Sequence, residues 1–108
     1  MPNAERAVVD VRKLRDYCLS TEHPRGRHKA RVFESVLGPK AAHAEELQDI
    51  LRTAAQSDEA IPSEDDEYGQ RYVLDVRVLG PAGTAMVRTT WIVRRDEYFP
   101  RLTSCYVL

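Results

Sequence analysis

Arg71-Tyr72-Val73-Leu74-Asp75-Val76-Arg77-Val78-Leu79, then Thr84-Ala85-Met86-Val87-Arg88-Thr89-Thr90-Trp91-Ile92-Val93, then Arg101-Leu102-Thr103-Ser104-Cys105-Tyr106-Val107-Leu108: these three runs fill most of the chain from Tyr68 onward. Each is dense in β-branched and aromatic side chains, which favour a pleated, half-buried surface. Gly80-Pro81-Ala82-Gly83 separates the first two runs, a turn signal that predicts a hairpin. Alternation sorts the side chains. Tyr72, Leu74, Val76 and Val78 share one side of the first run, and Arg71, Asp75 and Arg77 share the other with Val73 and Leu79. In the second run Ala85, Val87, Trp91 and Val93 oppose Arg88 and Thr90, with Met86 and Ile92 at the ends. The cleaner apolar side is expected under helices, and the mixed side is expected to be partly exposed.

The helices come earlier in the chain. Ala7-Val8-Val9 is a short apolar run suited to a strand stub or a packed tail. Asp10 stands where an N-cap belongs, and Val11, Leu14 and Cys18 follow at helical spacing, so a helix is expected to run to about Leu19. A second helix is expected within Arg27–Leu37, stopped by Gly38-Pro39. A third is expected from Lys40 to Ala55, with Ala44, Leu47, Ile50, Leu51 and Ala54 as its apolar stripe. Residues 57–67 read as a loop, since six of the ten from Asp58 to Glu67 are acidic and Pro62 interrupts them. The expected fold is therefore α+β: N-terminal helices (8–56) on one face of a small antiparallel sheet of three to four strands (68–108), in one domain.

Composition limits the function classes. Across 108 residues the net charge is −1, so bulk charge excludes a strongly basic nucleic-acid binder but leaves room for a local basic patch. No apolar run nears the roughly 18 residues of a membrane span, and the N-terminus lacks a signal-peptide core, so a cytoplasmic location is expected. Cys18 and Cys105 show no metal-ligand or redox spacing, and reduced thiols without a disulfide are expected. No metal or cofactor is expected either.

Chemistry concentrates in His23-Pro24-Arg25-Gly26-Arg27-His28-Lys29-Ala30-Arg31, with four Lys/Arg, two His and no acid, at a predicted helix start. Helix N-termini and flanking cations favour anions, phosphate above all. The same composition also suits a solvated basic helix start with no ligand. Histidine exchanges protons near neutral pH. One His, several cations and a polar sheet face together suit metal-free RNA cleavage, which needs a base, an acid and a cationic grip on the phosphorane.

Three blocks together carry a resemblance: Leu14-Arg15-Asp16-Tyr17-Cys18-Leu19 running into Glu22–Phe33; Tyr68-Gly69-Gln70-Arg71-Tyr72; and Val87–Val93 with Pro100–Tyr106. The chain resembles the bacterial domain-of-unknown-function family 6883 over nearly its whole length. Similar domains form C-terminal modules of large secreted toxins, and the resemblance implies a barnase/colicin/RelE-type (BECR) ribonuclease fold. Free-standing members look like half of a small two-gene, toxin–antitoxin-like cassette. By the same resemblance, His23 would be general base or acid, Lys29 and Arg88 would hold the scissile phosphate, and Ser104 or Tyr106 would position or protonate the leaving group. Arg25, Arg27, His28 and Arg31 would contribute to phosphate and RNA binding. The chain departs from the toxin modules in ending Cys105-Tyr106-Val107-Leu108, with no proline after the tyrosine.

Two functional readings stand side by side. One is a metal-independent endoribonuclease, toxin-like, acting on RNA and paired with a small antitoxin-like protein. The other is a non-catalytic module that binds a small neighbouring protein through its sheet face or final strand.

Overall fold

The structure is a computed structural model that describes residues 1–14, 44–57, 59–80 and 83–108. Its architecture is α+β. Among the described residues a 3-10 turn (Ala4–Arg6) and the helices α1 (Val11–Lys13) and α2 (Ala44–Ala54) precede four strands: β1 (Ile61–Asp66), β2 (Gly69–Gly80), β3 (Gly83–Arg94) and β4 (Arg101–Val107). The sheet is antiparallel throughout, in the order β1-β2-β3-β4.

The expected hairpin is the spine of the sheet. Its β2–β3 ladder runs without slippage from Gly69↔Arg94 to Gly80↔Gly83. That register puts Leu74, Val76 and Val78 beside Thr89, Val87 and Ala85 on one face, where all six are buried. A one-residue slip would turn this whole apolar set outward, so burial itself pins the register. Trp91, Leu102 and Cys105 complete the face, and Leu14, Ala44, Leu47, Leu51 and Ala55 pack onto it. Thr89 is the single buried polar side chain among the described residues. Its hydroxyl donates to the Leu74 carbonyl (2.6 Å) and accepts from Trp91 Nε1 (2.8 Å), which offsets the cost of burying both groups.

Helix α2 presents Ala44, Leu47 and Leu51 at intervals of three and four, a stripe that follows the helical period and continues into Ala55 just past its end. Ile50, expected within that stripe, stands at its edge and is 39% exposed. Gln48 ties the helix to the N-terminal segment by donating to the Val9 carbonyl (2.6 Å). The Ala7-Val8-Val9 run packs as a strand stub. Val8 forms a parallel bridge with Arg101, donating to the Pro100 carbonyl and accepting from Leu102 N–H. Asp10 caps α1 through the Arg12 N–H, as expected.

One expectation is corrected. The acidic stretch read as a loop at 57–67 contains an edge strand, β1, paired with β2 from Ile61↔Val73 to Asp66↔Gly69 with a bulge between. Carboxylates are tolerated there because an edge strand faces water and arginines meet them. Asp66 accepts from the Tyr68 and Gly69 N–H groups and from Arg71 Nε, and Asp65 pairs with Arg95. The turn also requires glycine. Gly69 has φ +150°, and a Cβ there would sit 2.1 Å from the Val93 carbonyl oxygen.

The expected second helix and the basic stretch lie outside the described residues, as do Cys18 and the first turn of the third helix. Cys105 is fully buried. No helix among the described residues is long and apolar enough to cross a membrane.

Candidate functional site

With one sheet face buried under α2, the other displays the polar residues of β2, β3 and β4. Register sets them in rows. Asp75 pairs with Arg88, and Arg88 with Tyr106; one step along, Val73 pairs with Thr90, and Thr90 with Ser104. Three of the expected site residues, Arg88, Ser104 and Tyr106, therefore stand on adjacent strands of one partly exposed surface. The other six, His23, Arg25, Arg27, His28, Lys29 and Arg31, lie outside the described residues.

Arg88 is held in a fork. Its Nε and Nη2 donate to the two oxygens of Asp75 at 2.9 and 3.0 Å, and Tyr106 is its cross-strand neighbour on β4. A bidentate grip fixes the guanidinium plane as well as its place. The hydrogen bond with Asp75 raises the Arg88 pKa further, and the same bond holds the Asp75 carboxyl below its usual value against a smaller opposing effect of burial. Both side chains keep about a third of their surface in water, at 39% and 34%, so the pair orients Arg88 more than it stabilises the fold.

A β-bulge builds the neighbouring row. The β3–β4 register steps from Thr90↔Ser104 to Trp91↔Leu102, which leaves Thr103 as an extra residue in β4. Its hydroxyl meets the Thr90 hydroxyl at 2.6 Å, and Thr90 also reaches the Ser104 carbonyl at 3.3 Å. Bulges commonly re-aim side chains beside active sites. Strict alternation would send Thr103 to the core face, so sequence reasoning missed it. Nothing in the local sequence marks the extra residue.

A cationic donor, a tyrosine and a set of hydroxyls on one face can hold a phosphate, orient a ribose and stabilise a charged transition state. A separate groove of about 230 Å³, between the N-terminal turn and α2, is lined among the described residues by Glu5, Asp49, Arg52 and Gln56 and others, and not by Arg88, Ser104 or Tyr106.

Ion pairs on this surface set the acid response. Asp66, Asp75 and Glu97 are all held below their usual values of 3.8, 3.8 and 4.5, each chiefly by a hydrogen bond from an arginine (Arg71, Arg88 and Arg101). Depressed carboxylates contribute stability above their unfolded pKa values and lose it as protons are taken up below them. The urea midpoint is therefore expected to be flat above about pH 6 and to fall below about pH 5. A midpoint unchanged down to pH 3 would contradict this.

The chain belongs to the family described as a domain of unknown function (DUF6883), whose model matches residues 1–108. It shares its fold with one chain of a solved contact-dependent growth inhibition toxin–immunity protein complex from Klebsiella pneumoniae 342. The two superpose with a TM-score of 0.71 at 18% identity, over 94% of this chain and 99% of that chain. No curated protein matches the chain.

Proposed function

We propose that this protein is a toxin-like, metal-independent endoribonuclease module of the barnase/colicin/RelE type, acting on cytoplasmic RNA and held in check by a small cognate protein. The carrying observation is the meeting of Arg88, Ser104 and Tyr106 on adjacent strands of one open face, with Arg88 gripped by Asp75 and paired across strands with Tyr106. The fold shared with a chain of a toxin–immunity complex is consistent with this reading and with the need for a partner.

In the proposed reaction the ribose 2′-oxygen attacks the adjacent phosphorus and the bond from phosphorus to the 5′-oxygen breaks. The products are a 2′,3′-cyclic phosphate and a free 5′-hydroxyl. His23 takes the 2′-hydroxyl proton or returns one to the 5′-oxygen. Arg88 and Lys29 bear the charge that builds on the phosphorane oxygens, and Tyr106 or Ser104 positions or protonates the leaving oxygen.

The test is inducible expression in a bacterial host of the wild-type chain, His23→Ala and Lys29→Ala, followed by growth and bulk RNA integrity. Wild type is expected to arrest growth and degrade RNA, and the purified protein to cleave RNA in EDTA. Both variants should be folded and inactive. Intact RNA and normal growth with folded wild-type protein would instead favour a non-catalytic protein-binding module. One observation supports that second reading: Leu79 (80% exposed), Met86 (40%) and Leu108 (58%) cluster at the hairpin end of the same face.

A further inference from the structure

Strand alternation does not place the Thr103 hydroxyl on the polar face. The bulge turns it out of sequence phase, and its contact with Thr90 at 2.6 Å keeps it on the face beside Ser104. Thr90 and Arg88 are alternate residues of β3, so their Cα atoms lie about 6.5 Å apart along the strand. That spacing suits two neighbouring groups of one nucleotide.

The two positions differ in what they can bind. An arginine only donates, which matches phosphate oxygens. The threonine pair both donates and accepts, because its shared proton has two settings. When Thr90 donates to Thr103, the Thr103 proton is available to an outside acceptor. When Thr90 donates to the Ser104 carbonyl, 3.3 Å away, Thr103 donates to Thr90 and keeps a lone pair for an outside donor. A ribose 2′-hydroxyl is itself both donor and acceptor, and it is the group that distinguishes RNA from DNA at a given site.

We infer that Thr103, supported by Thr90, reads the ribose 2′-hydroxyl of a bound RNA strand next to the phosphate held by Arg88. Thr103 is thus a specificity-determining residue. This inference rests on the ribonuclease reading above and adds the means by which RNA is chosen over DNA.

The test compares a fluorescein-labelled twelve-nucleotide oligouridine RNA with its 2′-deoxy counterpart by anisotropy, alongside cleavage of total bacterial RNA. The proteins are wild type, Thr103→Val, Thr103→Ser, Thr90→Val and Arg88→Ala. Wild type is expected to prefer RNA. Thr103→Val should weaken RNA binding about five- to tenfold, the range of one net hydrogen bond, and leave DNA binding unchanged. Thr103→Ser should keep the preference. Thr90→Val, on the neighbouring strand, should show a smaller loss of the same kind and replaces Thr103→Val if that variant does not fold. Equal weakening on RNA and DNA, or no change on either, with cleavage intact in wild type and lost in Arg88→Ala, would overturn the inference alone. A wild-type protein that neither binds nor cleaves RNA would overturn both the inference and the ribonuclease reading.

Discussion

Arg88→Ala is expected to lower kcat/KM for RNA cleavage by about a hundredfold or more, the usual loss when a charge-stabilising donor is removed from a transition state. The effect should be larger than for a merely attractive surface cation because Arg88 is aimed in advance. Asp75 holds it through two parallel hydrogen bonds, so little ordering is left for the moment of reaction. Arg88→Lys keeps the charge but loses the planar fork, and should recover only part of the rate. Asp75→Asn tests the aim separately. It removes the ion pair while leaving Arg88 present, so it should lower the rate less than Arg88→Ala does. Thermal denaturation of all three variants separates chemistry from folding, since the Arg88–Asp75 pair, about a third exposed, contributes little to stability. Cleavage by Arg88→Ala within threefold of wild type would remove Arg88 from the mechanism.

Trp91→Ala should do the opposite, destabilising the protein without touching the polar face. Trp91 is fully buried, and it is the largest of the fully buried side chains. Truncating a buried tryptophan costs about 3–5 kcal/mol through lost burial and the cavity left behind. Stability of a small domain is only about 5–15 kcal/mol, so this takes a large share. The melting temperature should drop by more than about 12 °C. Trp91→Phe keeps most of the volume but gives up the indole N–H bond to Thr89, and should fall between the two. A melting temperature within a few degrees of wild type for Trp91→Ala would show that the core closes by another route.

Particular residues show how far the sequence could be read. Alternation along Arg71–Leu79 and Thr84–Val93 placed both strands and both faces, because a two-residue period is a local property of an extended chain. The Asp10 cap and the Ala44-Leu47-Leu51 stripe were equally local. Ile50 was harder, since adjacent apolar residues on a helix do not reveal which of them faces the core. Asp58–Glu67 misled for a related reason. Its composition is that of a loop, and only Arg71 and Arg95, from elsewhere in the chain, make β1 tolerable as a strand.

By itself the sequence determined the α+β class, the central hairpin with its buried and polar faces, and the residue types available for chemistry, because these follow from periodicity and turn signals within a few residues. Tertiary structure decided which groups meet. Arg88 lies between Asp75 and Tyr106, Thr89 satisfies Trp91, and a bulge brings Thr103 to Thr90. Each of these depends on the registers of strands far apart in sequence. Such a register is set by the packing of the whole sheet against its core, and no local pattern encodes it.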